Sequence, residues 1–247
     1  MNDPAFVLHT RPWRETSLIA ELLTPGHGRV GVVARGGRRG RRGAAGVLQP
    51  FSLLQVTLRG RGELKTLVSA EPEQTLLLRG ERLFAGLYLN ELLLRLLQRD
   101  EAQPEIFSDY AGTLARLAHL DPQYAARDME PALRRFELRL LVALGYGFPL
   151  DQDVQGHALD AARRYTLIPD EGLAVVGDTV RDAGYELEFE GSHLLALAAD
   201  VLSEPEVLLT AKRLTRLALA CHLGGRPLHS RALFRRWQAA EDDDQRP

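Results

Sequence analysis

Cysteine occurs once in the 247 residues, lysine twice and tryptophan twice. The lone thiol, Cys221, excludes an internal disulfide and a zinc site of the four-cysteine type. The seven histidines (His9, His27, His119, His157, His193, His222 and His229) are scattered, with no H-E-x-x-H and no i,i+4 pair, so no metal and no other cofactor is expected. The glycine- and arginine-rich run after Ala34 lacks the G-K-[ST] ending of a nucleotide-binding phosphate loop, and no G-x-S-x-G or G-x-G-x-x-G follows a strand-like segment. No catalytic constellation emerges, and the chain is not expected to be an enzyme. A long hydrophobic run is missing too: Leu83 to Leu97 is interrupted by Asn90, Glu91 and Arg95 and falls short of a membrane span. The opening MNDPAFVLHTRPWRE has no basic start followed by an apolar run, as a signal peptide would. These absences point to a soluble, cytoplasmic protein.

What is present is an uneven charge. The formal net charge of -2 conceals 12 basic and 6 acidic residues in positions 1–80, a balance of +6, against 19 and 27 in positions 81–247, a balance of -8. A basic front suits a polyanionic partner. Apart from Lys65 and Lys212 every basic side chain is arginine. The planar guanidinium fork pairs bidentately with phosphate, but a GC-rich genome produces the same bias, so the preference alone assigns no function.

The first 70 residues break into five short apolar runs separated by turn signals: Ala5–Thr10, Thr16–Thr24, Arg29–Ala34, Phe51–Leu58 and Glu63–Ser69. Partial alternation, as in Leu54, Val56 and Leu58, predicts strands. Five strands in so short a span need closure to hide their edges, and a small barrel of the OB type is the economical solution. After Pro72 the period changes to that of helices, over Arg82–Gln98, Phe107–Leu120, Pro131–Leu144, Ser192–Leu202, Glu206–Leu223 and Ser230–Trp237. Glu130-Pro131 reads as a helix start. Tyr165–Ile168, Leu173–Val176 and Tyr185–Phe189 are short extended pieces. The fold class expected is mainly α with an N-terminal all-β domain: an OB-fold barrel over 1–78, a helical domain over 79–237 with an irregular insert at 148–192, and an acidic disordered tail over 238–247.

The segment ARGGRRGRRGAAG falls between the third and fourth runs. Its Arg35, Arg38, Arg39, Arg41 and Arg42 are candidate phosphate contacts on a pliable backbone. Arg14, Arg59 and Lys65 add to the same field, with Arg11 and Arg61 nearby, and Trp13 offers a stacking surface. Binding of this kind is backbone-directed and strongly salt-dependent. An alternative is an interaction module in which the arginine loop meets RNA or an acidic protein.

Four fragments in order resemble the RecO family of bacterial DNA repair proteins. The opening AFVLHTRPWRETSLIAELLTPGHGRVGVVARGGRR carries an x-E-x-S stretch at Glu15 and Ser17, a T-x-x-x-G turn at Thr24–Gly28 and a V-A-[KR]-G end at Val33–Gly36. LQPFSLLQVTLRGRGELKTLVSAE is similar to that family's L-x-P-F and G-x-L-x-x-L strands, RRFELRLLVALGY to its central helix, and HLGGRPLHSRALF to its C-terminal signature. The resemblance implies an OB-fold followed by a helical domain, and a cytoplasmic, nucleoid-associated protein that binds single- and double-stranded DNA and anneals complementary strands. It also implies a complex with RecR that helps load RecA onto DNA coated by single-stranded-DNA-binding protein (SSB), whose acidic C-terminal tail docks on the helical domain. Arg134, Arg135, Arg139 and Arg216 are the basic side chains expected to rim that dock. Many family members carry a four-cysteine zinc module after the LGY helix; the corresponding LGYGFPLDQDVQGHALD has no cysteine, so packing is expected to hold the insert together.

Overall fold

Alternation of apolar and polar residues builds the front of the chain. In the strand Ser52–Arg59, Leu54, Val56 and Leu58 are buried while Leu53, Gln55 and Thr57 are half-exposed, because successive side chains point to opposite faces. The computed structural model describes residues 1–36, 44–121, 125–177 and 187–244. Its first elements are β1 (Asn2–Trp13), β2 (Ser17–Thr24), β3 (Gly28–Ala34), the short helix α1 (Ala44–Val47), β4 (Ser52–Arg59) and β5 (Leu64–Thr75). The five strands close into a barrel in the order β1-β2-β3-β5-β4, antiparallel throughout except for the parallel β3–β5 pair. This is the OB arrangement, as the pattern of five runs implied. Ala5, Val7, Ala20, Leu22, Val30, Val32, Leu54 and Val56 fill its interior, all essentially inaccessible to solvent.

Two strands outrun their sequence signals. β1 continues past Thr10 to Trp13. β5 runs through Pro72 to Thr75. Beyond Thr66 it has β4 alone as ladder partner, so Pro72 occupies an edge, where its missing N–H is tolerated.

The chain divides into two compact units, residues 1–129 with 227–247, and residues 130–226. In the first, the barrel is joined by α2 (Glu81–Leu96), α3 (Pro104–His119) and the final helix α7 (His229–Asp244). Adjacent side chains on α2 make the two key connections. Asn90, 2% exposed, donates from Nδ2 to the Leu8 carbonyl of β1 at 2.7 Å and accepts from the Tyr110 hydroxyl of α3 at 2.5 Å. Phe6 of β1 packs on Phe107 and Tyr110, with ring centroids 5.3 and 5.2 Å apart. Glu91 turns the other way and receives the first N–H groups of α7, His229 N at 2.9 Å and Ser230 N at 2.8 Å, together with the Ser230 hydroxyl at 2.7 Å. It thus caps a helix 138 residues away, a role normally filled by the residue just before the helix. Phe84 then meets Phe234 and Trp237 of α7 at 5.6 and 5.2 Å. The helix extends to Asp244, past the expected end at Trp237.

The second unit contains α4 (Ala125–Ala143) from Glu130 on, the sheet β7-β6-β8 formed by β6 (Arg164–Ile168), β7 (Gly172–Val175) and β8 (Phe189–Glu190), and the helices α5 (Gly191–Ala198) and α6 (Pro205–His222). Glu130-Pro131 is not the start of α4. The helix begins at Ala125, and Pro131 lies inside it, where the ring removes one i→i−4 hydrogen bond. The extended pieces at Tyr165–Ile168 and Leu173–Val176 pair as β6 and β7; of the third, Tyr185 and Glu186 lie outside the described residues. The cysteine-free segment after α4 forms a tight knuckle. Asp153 Oδ1 accepts from the Gln155 and His157 N–H groups, each at 2.9 Å, while Asp153 N donates to the His157 carbonyl at 2.9 Å.

Truncating Asn90 to alanine would strand the Leu8 carbonyl and the Tyr110 hydroxyl in the interior. Each unsatisfied group costs about 1–3 kcal/mol, so urea denaturation of N90A is expected to show a loss of about 3 kcal/mol. At Glu91 burial opposes the charged form, but the donors from Ser230 and His229 and the nearby Arg95 outweigh it and hold the carboxyl below its ordinary range. A carboxylate whose folded pKa is depressed stabilises the fold above its unfolded pKa of about 4.3 and loses that contribution as pH falls through the folded value. The stability gap between wild type and E91Q is therefore expected to be full above about pH 5 and to close progressively toward pH 3; a gap independent of pH would contradict this account.

Candidate nucleic-acid interface

Cationic side chains gather at the barrel's hairpins. At the β1–β2 turn, Trp13 pairs with Ser17, Arg14 adopts a left-handed φ of 53°, and the Arg11 guanidinium lies 5.9 Å over the Trp13 ring. Trp13 is 38% exposed, unusual for the largest apolar side chain and suited to stacking. Leu18 pairs with both Pro12 and Ala34, so exposed Arg35 leaves β3 at this same end of the barrel. Arg38, Arg39, Arg41 and Arg42 lie outside the described residues.

The β4–β5 hairpin carries a second group. Arg59 ends β4, Arg61 sits in the connecting loop and Lys65 follows the first residue of β5. Together with Thr57, Leu58 and Val68 they line a concavity of about 580 Å³. Arg59 and Arg61 are exposed, and Lys65 is half-buried in an ion pair with Asp100, from the link between α2 and α3. Asn2 pairs with Thr57, whereas Trp13 closes the other end of β1, so the length of that strand separates the two cationic groups.

Between them lies the outer face of β2 and β3, which OB barrels ordinarily offer to oligonucleotides. Here it is covered. Ile19 and Leu23 point outward from β2 yet are 2% and 0% exposed, as α3 packs against that strand. Arg99 bridges to Gly28 and Arg29 at the edge of β3 and lays its guanidinium over Gly31, where a Cβ would come within 2.1 Å of Nη1. Its Nη2 donates to Glu21, whose other oxygen is 3.7 Å from Arg29 Nε. Arg29 in turn donates to the Leu94 carbonyl. Burial lowers the Arg29 pKa, Glu21 opposes that shift and Arg99 adds to it. One carboxylate thus sits between two crowded guanidinium groups and offsets part of their mutual repulsion.

The arginines expected to rim a docking site in the second unit have different fates. Arg134 is buried, not on a surface: its Nη2 donates to Glu137 Oε1 at 2.7 Å, and the Thr215 hydroxyl of α6 donates to the other oxygen. The cause is its helical position, three residues before a fully buried carboxylate and beside the core residues Leu133 and Phe136. Arg135 pairs with Asp200 at 2.6 Å. Arg139 and Arg216 are exposed, just beyond Glu137 and Thr215 in their helices. Among the described residues no group of three or more His, Cys, Asp or Glu side chains is placed to hold a metal ion, and no helix is long and apolar enough to cross a membrane.

Fold and site together define an OB-barrel protein with cationic hairpins and an attached helical body. Comparison with known proteins names the family. The model described as Recombination protein O N terminal matches residues 1–76, and the one described as Recombination protein O C terminal matches residues 77–232. DNA repair protein RecO of Stutzerimonas stutzeri (strain A1501) is 48% identical over 238 residues, covering 95% of this chain and 93% of its own. DNA repair protein RecO of Pseudomonas aeruginosa (strain LESB58) is 49% identical over 231 residues, covering 93% and 92%, and that of Methylococcus capsulatus (strain ATCC 33009 / NCIMB 11132 / Bath) is 46% identical over 235 residues, covering 94% and 92%. The chain belongs to the RecO family of DNA repair and recombination proteins.

Neither Asp100 nor the group of Glu21, Arg29 and Arg99 stands out from sequence patterning. The available signal is Glu21, a single charge inside the apolar run Leu18–Leu23, which demands a partner once that run is buried. Removing its charge would leave Arg29 and Arg99 facing each other in a largely dry site. Losing one partner of a buried pair costs about 3–5 kcal/mol, and residual exposure of Arg99 reduces this, so E21Q is expected to lose about 2–3 kcal/mol in chemical denaturation.

Proposed function

We propose that this protein binds DNA through the hairpins of its barrel, anneals complementary single strands and, with RecR, helps load RecA onto SSB-coated DNA. The concavity lined by Arg59, Arg61 and Lys65 carries the reading, because the charged side chains that line it are all cationic, it is open to solvent, and it lies beside a strand hairpin that OB barrels use for oligonucleotides. Arg35 and Arg14 supply phosphate contacts at the opposite end, Trp13 a stacking surface, and Arg38, Arg39, Arg41 and Arg42 extend the field from the glycine-rich connection. In the helical region Arg139 and Arg216, with Arg135 beside them, are the basic groups that would receive the acidic tail of SSB. The barrel over 1–78 is the DNA-binding domain of this scheme and the helical residues 79–237 its partner-binding domain.

Fluorescence anisotropy with labelled single-stranded DNA, duplex DNA and RNA across a salt series tests the first part. Affinity is expected to fall steeply with salt, and R59Q/R61Q to weaken binding evenly across sequences while reducing the salt slope by about 1–2. Absence of DNA binding at low salt would overturn the proposal, and preference for RNA would redirect it. Annealing of strands coated with intact or tailless SSB tests the second part, with loss expected for the tailless protein alone.

A further inference from the structure

The ion pair between Lys65 and Asp100 sits where phosphate is expected. Lys65 shares its concavity with Arg59 and Arg61, for which no carboxylate partner occurs among the described residues; Lys65 alone of the three is satisfied within the chain. Its partner belongs to the link between α2 and α3, and that link is fixed to the barrel. Asp100 N donates to the Arg29 carbonyl at 3.1 Å, and Arg99 bridges to Gly28 and Arg29. A Cβ on Gly28 would stand 1.8 Å from the Glu101 carbonyl oxygen. The Asp100 backbone is in a left-handed conformation, φ 57°, which aspartate adopts more readily than most residues with a Cβ. The carboxylate is thus presented to the rim of the concavity. Its side chain is 43% exposed, against 12% for that of Lys65, so it lies on the solvent side of the pair.

We infer that Asp100 is an intramolecular stand-in for a DNA phosphate: it occupies Lys65 in the free protein and yields that ammonium to the incoming backbone. This rests on the reading of the hairpin as a DNA site. A carboxylate and a phosphodiester each offer an ammonium two anionic oxygens, and both cannot hold Lys65 in the same way. Arg59 and Arg61 give the first, unopposed attraction, and the contact with Lys65 is made only by displacing Asp100. The exchange replaces one ion pair by another, so Lys65 adds little net affinity in the wild type, and a strand gripped this way is released as readily as it is captured. That balance suits a protein that must let go of annealed product.

The test compares wild type, D100N, K65Q, D100N/K65Q and R59Q/R61Q by anisotropy with a labelled oligothymidine across a salt series. Asparagine tolerates left-handed φ, so D100N preserves the backbone; unchanged thermal unfolding and circular dichroism verify this. D100N is expected to bind about two- to five-fold tighter at low salt, the equivalent of one freed surface ion pair. Its salt slope should steepen by about 0.7, the value for one further contact to a single strand. D100N/K65Q should bind no more tightly than K65Q. Unchanged affinity and slope in D100N would overturn the inference, as would a gain that persists in the K65Q background, since Asp100 would then act through its general field alone. The R59Q/R61Q arm separates the two levels: weakened binding there with an inert D100N sinks the Asp100 role alone, whereas no effect in either sinks the hairpin reading as well.

Discussion

The hydrogen bond from Asn90 to the Leu8 carbonyl is the contact on which the first unit depends. β1 bulges between Val7 and His9, a disturbance that breaks the ladder there and leaves a main-chain acceptor in an apolar setting. A polar side chain from α2 reaches that acceptor, and Tyr110 of α3 completes the amide's own bonding, so three elements share one buried network. Burial raises the Tyr110 pKa and keeps it a neutral donor. Apolar contacts alone would let α2 and α3 slide over the barrel; directional bonds fix a single register. The next residue, Glu91, transmits that register to the final helix by capping it, so the end of the chain folds back onto the first helix after the barrel.

That arrangement has a consequence for binding. Helices docked on β2 bury Ile19 and Leu23, and the α2–α3 link stretches over β3 through Arg99. The broad face that a free OB barrel would present is thereby given over to intramolecular packing, and among the described residues of the barrel Arg11, Arg14, Arg59 and Arg61 lie exposed at the two hairpins at either end of β1. Loops that extend from a rigid barrel and carry arginine favour backbone contacts over base reading, which is consistent with a family whose members act in DNA repair and recombination.

Local signals served well where a residue's role is decided by its neighbours in sequence. The alternation around Leu54, Val56 and Leu58 marks a strand without further help, and the heavy leucine pattern after Arg82 marks a helix. Failures fall where a distant residue decides. Pro72 reads as a strand breaker until the absence of a β3 partner makes it harmless. Pro131 reads as a helix start, yet α4 begins six residues earlier and absorbs one lost hydrogen bond. Arg134 looks like any solvated helix arginine, because nothing local reveals that Glu137 and Thr215 will be fully buried against it. Asp100 is the extreme case: its significance comes from Lys65, thirty-five positions away, and from glycines at 28 and 31 that let the link approach β3.

The knuckle after α4 shows how a carboxylate can organise a turn in a segment without cysteine. A metal fixes such a loop by converging several ligands on one centre; Asp153 does so on a smaller scale, gathering the N–H groups of Gln155 and His157 on a single oxygen. Its acidity reports the arrangement, since the His157 N–H foremost, aided by that of Gln155 and by the imidazole, holds the carboxyl below its ordinary range against a smaller desolvation effect. Val154 N extends the turn into the sheet by donating to the Leu173 carbonyl of β7 at 2.7 Å. Packing alone is therefore an incomplete account of the cysteine-free insert. Hydrogen bonds of this kind weaken when Asp153 takes up a proton, so the stability they contribute is present at neutral pH and is lost in acid, independently of any divalent metal.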